Sequence, residues 1–100
     1  MKNLLIVLPG EGPRGVALPE GITRISPDLI RALLGCDAVE RCDALFGGEP
    51  FHLYADATAA ASERPENEHA TRMRRAAILR RNPKARDRAA VRGPALLVQP

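Results

Sequence analysis

The chain has 100 residues, 45% hydrophobic and 27% charged, with one Tyr, two Phe, no Trp and a formal net charge of +3. That length gives one domain with one modest core, which must be aliphatic and drawn chiefly from residues 4–8, 29–34 and 95–98. No run approaches the roughly 20 apolar residues of a membrane span, and residues 4–8 fall short of a signal-peptide core, so the expectation is a cytoplasmic protein without membrane contact.

The small net charge conceals a segregation. Residues 71–100 carry nine Arg or Lys and one acid, +8, whereas residues 1–70 carry six cations and eleven acids, −5. A bias of 13 Arg to 2 Lys with 16 Ala fits a GC-rich coding sequence. Codon usage does not explain why the arginines crowd after Thr71. Charge polarity of this size points to an acidic partner.

Residues 4–8 are continuously apolar and rich in β formers, which reads as a strand in the middle of a sheet. Pro9 to Pro13 turns the chain, and residues 15–18 return as a second, shorter strand before Pro19 and Gly21. Ser26, Pro27 and Asp28 announce a helix: an N-cap, a proline in the first turn and an acid at the positive end. Leu29, Ile30, Leu33 and Leu34 form its apolar stripe and Gly35 stops it.

Residues 39–45 read as a strand, separated by Gly47-Gly48 from residues 51–55, where alternation is clean. A hairpin follows, with Phe51, Leu53 and Ala55 toward the core and His52, Tyr54 and Asp56 on the other side. Asn67 caps a second helix running from Glu68 to about Arg81, with Met73, Ala76, Ala77 and Leu79 or Ile78 as its core face. Pro83 ends it, residues 84–92 form a basic loop, and residues 95–99 form the last strand. The class is α+β: one small domain over residues 1–100, about five strands in a mixed or antiparallel sheet, a short Leu-rich helix and a basic helix.

The order of these motifs carries a resemblance. Pro65-Glu66-Asn67-Glu68-His69-Ala70-Thr71, followed by Gly93-Pro94 and an apolar strand, resembles a short family of unknown function from bacteriophages and mobile elements. Its members share an N-terminal strand, a Leu-rich helix ending in Gly, a hairpin, a Pro-x-Asn-x-x-Ala segment and a closing Gly-Pro-apolar strand. Residues 74–88 are more basic than that pattern, and Cys36 stands where a second Gly belongs. The resemblance implies a fold and a phage-like origin, with the host-cell cytoplasm as the place of action, and it carries no mechanism.

Several constellations have a chemical reading to be weighed. Gly10-Glu11-Gly12-Pro13-Arg14-Gly15 spells a dinucleotide-binding loop, yet residues 16–21 cannot supply the helix whose N-terminus meets the pyrophosphate; a turn between strands explains the spelling. Cys36, Cys42, His52 and His69 have the residue types of a zinc site without its spacing, so no metal or cofactor is expected and the cysteines read as reduced thiols. His52, Tyr54 and Asp56 form a row rather than a triad, which argues against an enzyme. His52 and Tyr54, with Asn67 and His69 nearby, are instead candidates to line a shallow pocket for a phosphorylated ligand.

The basic segment is the stronger signal. Arg72, Arg74, Arg75, Arg80, Arg81, Lys84, Arg86, Arg88 and Arg92 place nine cations within 21 residues. A solvated helix face, or pairing with Asp37, Glu40, Asp43 and Glu49, is the plain explanation. Docking to an acidic protein surface or to nucleic acid is the functional one. No aromatic platform or base-reading motif accompanies the cations, so any nucleic-acid contact would be sequence-independent. The leading expectation is a non-enzymatic phage-type accessory protein that presents Arg72, Arg74, Arg75, Arg80, Arg81, Lys84, Arg86 and Arg88 to an acidic macromolecule, modulating a host or defence component. Nonspecific nucleic-acid binding and sequestration of a nucleotide are the alternatives, and a second copy of the chain is a candidate partner because it would add buried surface.

Overall fold

The structure, a computed structural model, describes residues 4–17, 25–58, 64–86 and 90–99. In chain order the elements are β1 (Leu4–Val7), β2 (Arg14–Gly15), α1 (Pro27–Leu34), β3 (Val39–Phe46), β4 (Glu49–Asp56), α2 (Glu68–Arg81) and β5 (Ala95–Val98). The strands form one sheet in the order β2-β1-β5-β4-β3, and every pairing is antiparallel. The α+β class is therefore correct, with the antiparallel form of the sheet. No helix among the described residues is long and apolar enough to cross a membrane.

Strand alternation divides the core in two. Leu5, Val7, Cys42, Ala44, Phe51, Leu53, Ala55, Ala95 and Leu97 share one face with Ala70 and Met73 of α2. Leu4, Ile6, Val39, Tyr54, Leu96 and Val98 share the other with Ile30 and Leu34 of α1. A helix thus lies on each side of the sheet. The central strand β5 is buried at all four positions, which explains its continuous apolar sequence: neither face of it meets water. The middle of the sheet had been expected at β1, which has the same kind of sequence. β1 instead lies one strand from the edge, beside the two-residue β2.

The local signals act as expected where they are local. Ser26 Oγ accepts the Leu29 N–H at 3.1 Å, and Gly35 closes α1 by donating to the Arg31 carbonyl at 2.8 Å. Gly47 and Gly48 both have positive φ, 60° and 79°, as the two-residue turn between twisted strands requires. That turn sets the β3–β4 register, with Asp43 opposite His52 and Ala44 opposite Phe51.

Three expectations need correction. The second strand, expected over residues 15–18, is Arg14–Gly15, because the turn that closes with Glu11 N–H on the Leu8 carbonyl lets the chain return as soon as Pro13 has passed; Leu18, Pro19 and Gly21 lie outside the described residues. The core face of α2 is Ala70, Thr71 and Met73, with Ala77 half-buried, while Ala76 and Leu79 are exposed. At about 100° per residue, Leu79 turns roughly to the far side from Ala77. Finally, the outer row of β4 does not face solvent: Tyr54 packs in the α1 core and Asp56 is only 5% exposed.

The joint between α2 and the sheet is Asn67, fully buried at 0% exposure. Its Nδ2 donates to the Val7 carbonyl at 2.8 Å and the Gly93 carbonyl at 2.9 Å, while Oδ1 accepts the Ala70 N–H at 3.2 Å. Only this orientation of the amide puts its donors on carbonyls and its acceptor on an N–H. The Asn67 N–H donates to the Val91 carbonyl at 2.7 Å, and Thr71 Oγ1 accepts the Val91 N–H at 2.9 Å. Gly93, at φ 73°, completes the clasp by donating to the Pro65 carbonyl at 2.8 Å. A Cβ there would stand 2.7 Å from Arg64 Cδ, so the position disfavours a side chain both by conformation and by space.

Replacing Asn67 with Ala strips the cap and orphans two buried carbonyls, so a loss of about 2–4 kcal/mol is expected in urea unfolding. Asn67→Asp keeps the cap acceptor but sets a carboxylate against the same carbonyls, and should be at least as damaging at neutral pH. A milder effect for Asp than for Ala would mean that the cap, not the donor pair, holds the joint.

Candidate docking surface on the second helix

Once Asn67 fixes the rotation of α2, the position of each cation follows. Arg72, Arg75 and Leu79, at spacings of three and four, form an outward ridge; all three are exposed, Leu79 by 40%. Arg74 lies half-buried on the flank. Arg80 and Arg81 sit at the other end, where α2 passes over the β3–β4 hairpin. Beyond the helix, the Asn82 side chain accepts the Lys84 N–H at 3.2 Å and its carbonyl accepts the Ala85 N–H at 2.9 Å, so Lys84 stands on a formed turn. Arg86 and Arg92 are exposed, and Arg88 lies outside the described residues.

Own-acid pairing is seen at Arg81 among the described residues. Arg81, from the helix side of the sheet, ion-pairs with Asp43 of β3, whose alternation places it on the opposite side. The Arg81 side chain therefore reaches around β3, the last strand of the sheet among the described residues. Among the described residues, Arg72, Arg75, Arg80, Lys84 and Arg86 are exposed and in no ion pair. Basic residues in the last turn also suit the negative end of the helix dipole.

Arg80 and Arg81 rim an open cleft of about 370 Å³ between α2 and the hairpin. Ala44, Pro50, Phe51 and Ala77 provide its apolar lining, and Asp43, Leu45 and His52 complete the wall. His52 Nδ1 is 3.9 Å from Asp43 Oδ1, too far for a hydrogen bond, and the Nδ1 atom itself is shielded from solvent. Sequence reasoning missed this cleft, although the two-residue glycine turn held the register that sets Asp43 opposite His52.

The pocket expected from His52, Tyr54, Asn67 and His69 is not assembled. His52 is in the cleft, Tyr54 in the α1 core, Asn67 buried as a structural clasp, and His69 half-buried on the first turn of α2. Asp56, third in the expected polar row, accepts both the Thr58 N–H and the Thr58 hydroxyl at 2.8 Å, with Arg64 Nε 3.3 Å away. The backbone hydrogen bond, the hydroxyl and then Arg64 together outweigh burial and hold its carboxyl below the usual range. Burial, then the Asp56 charge, pushes the Cys36 thiol up, which makes it a poor nucleophile near neutral pH. Cys36 and Cys42 are both free thiols, and no group of three metal-ligating side chains gathers among the described residues.

No protein-family model matches the chain, and neither a curated protein nor a solved structure matches it significantly.

Two outcomes follow from this geometry. Because Arg81 is 76% and Asp43 49% exposed, Arg81→Ala should change folding stability by less than about 1 kcal/mol, as a thermal or urea melt will show. Asp56 differs: a carboxyl with a depressed folded-state pKa adds stability above its unfolded value, near 3.8, and that stability disappears as pH falls through the folded value. Asp56→Asn should thus cost about 1 kcal/mol at pH 7, with the gap to wild type closing below about pH 4. A gap unchanged at pH 3 would contradict the charge interactions described.

Proposed function

We propose that this chain is a non-enzymatic binding module of phage or mobile-element type that docks an acidic macromolecule on α2 and the turn after it, and thereby modulates a host or defence component. The observation that carries the reading is the set of exposed cations at Arg72, Arg75, Arg80, Lys84 and Arg86, unpaired with acids among the described residues and presented by a helix clasped to the sheet. A solvated helix face needs no such anchoring. Here Asn67 and Thr71 tie the start of α2 to residues 91–93, so the backbone that carries the helical cations is in place before docking. The likeness to a phage and mobile-element family in its motif order supports the setting, and the partner is an acidic protein surface or nucleic acid acting through phosphate contacts.

The test pairs wild type with a variant carrying Arg72→Ala, Arg75→Ala, Arg80→Ala and Lys84→Ala as affinity baits in a bacterial host lysate, with and without nuclease. All four side chains are exposed, so the variant should fold as wild type does. The expected result is capture of acidic proteins by wild type, lost in the variant and weakened by raised salt. Nuclease-sensitive capture with a steep salt slope, about 0.9 per duplex phosphate contacted, assigns the partner to nucleic acid. Equal capture by both baits overturns the reading.

A further inference from the structure

We infer that the cleft between the end of α2 and the β3–β4 hairpin is the anchoring subsite of the proposed docking surface, and that it takes an apolar side chain flanked by a carboxylate, in an acidic protein segment. This rests on the proposed reading and narrows it from an acidic macromolecule to an acidic peptide.

Charge favours a carboxylate over a phosphate. Arg81 is already paired with Asp43, which leaves Arg80 as the uncompensated cation on the rim among the described residues. A polyphosphate backbone entering here would meet the Asp43 carboxylate at short range, whereas one carboxylate matches one guanidinium. The lining favours an aliphatic or aromatic anchor. Pro50 and Ala77 are small or flat and at least partly exposed, with Ala44 buried beneath them, so an entering side chain meets hydrocarbon without displacing a polar partner. Phe51 is only 5% exposed, and its ring is tilted at 53° to that of Phe46, 6.2 Å away. With Phe51 covered, the cleft floor offers no free Phe, Tyr or Trp face among the described residues on which a nucleobase could stack, as single-strand binding uses.

The surroundings fit a peptide longer than one residue. Phe46, 39% exposed, neighbours the cleft through Phe51, whereas Leu79, 40% exposed, lies on the outward ridge beside Arg75, away from the cleft. These are the two large hydrophobic side chains exposed among the described residues. An apolar centre with a cationic rim is the arrangement in which a few buried anchors supply affinity and the charges supply orientation. A second copy docking edge to edge on β3 is disfavoured, because α2 packs chiefly over β3 and Arg81 reaches around that strand. Two such helices on neighbouring strands about 5 Å apart could not reach the 8–10 Å that helix packing needs.

The experiment uses two fluorescein-labelled peptides of equal length and charge, one with Leu-Phe set among Asp and Glu residues and one with Ser-Ser in their place. By anisotropy at low salt, wild type should bind the Leu-Phe peptide about tenfold more tightly. Ala77→Glu, which puts a carboxylate on the cleft floor, should abolish that preference, and Pro50→Glu, at an exposed strand position, should do the same if Ala77→Glu fails to fold. Equal binding of the two peptides, or a preference that survives both substitutions, overturns the inference. If both peptides bind equally and binding is lost on replacing Arg72 and Arg75 with Ala, the proposed function stands and only the subsite falls. Failure to bind either peptide counts against both, and displacement of both peptides by an oligonucleotide of the same charge reassigns the cleft to phosphate.

Discussion

The carboxamide of Asn67 holds the molecule together at the point where its two halves meet. A single buried side chain caps α2, donates to the end of β1 and donates to the segment that enters β5. Burying an amide is unfavourable unless its hydrogen bonds are made. Here two donor bonds and an acceptor bond are made inside the protein, which turns the cost of burial into a demand for one arrangement of three segments. Thr71, one turn on, repeats the demand through Val91.

Much else depends on that arrangement. Because α2 cannot rotate about its axis, Ala70 and Met73 meet the sheet, Arg72 and Arg75 face outward, and Arg80 and Arg81 arrive over the hairpin. The helix itself has no strong amphipathic pattern: alanines and arginines surround it, and only its first half is well buried. Its orientation is therefore imposed by hydrogen bonds at its N-terminus more than by an apolar stripe. That division suits a binding element, since the C-terminal half can carry exposed charge and an open cleft without loosening the core.

Charge segregation along the chain becomes a different property in three dimensions. The basic segment is a helix and turn facing solvent at one end and the β3–β4 hairpin at the other, with Arg81 paired to Asp43 of β3. What remains exposed among the described residues is a ridge and a cleft with different chemistry: the ridge carries charge, and the cleft sets Arg80 beside hydrocarbon, the pair of features on which the proposed docking rests. Specific docking needs both, because charge steers an encounter and buried apolar contact retains it.

The sequence alone determined what short-range physics controls. The Ser26 and Asn67 caps, the Gly35 stop, the Gly47-Gly48 turn and the apolar runs each act within a few residues, so α1, α2 and the hairpin were legible, as was the α+β class. Only the tertiary structure decided which apolar run is central, since β1 and β5 share a composition and differ in their neighbours. It alone moved Asn67 and Tyr54 out of a candidate pocket, because their partners Val7, Gly93 and the α1 core are remote along the chain. Likewise the outward Leu79 and the cleft under Arg80 depend on the rotation of α2, which is set by contacts 26 and 60 residues distant in sequence. Local propensity names the elements; long-range hydrogen bonding and packing choose the face each one shows.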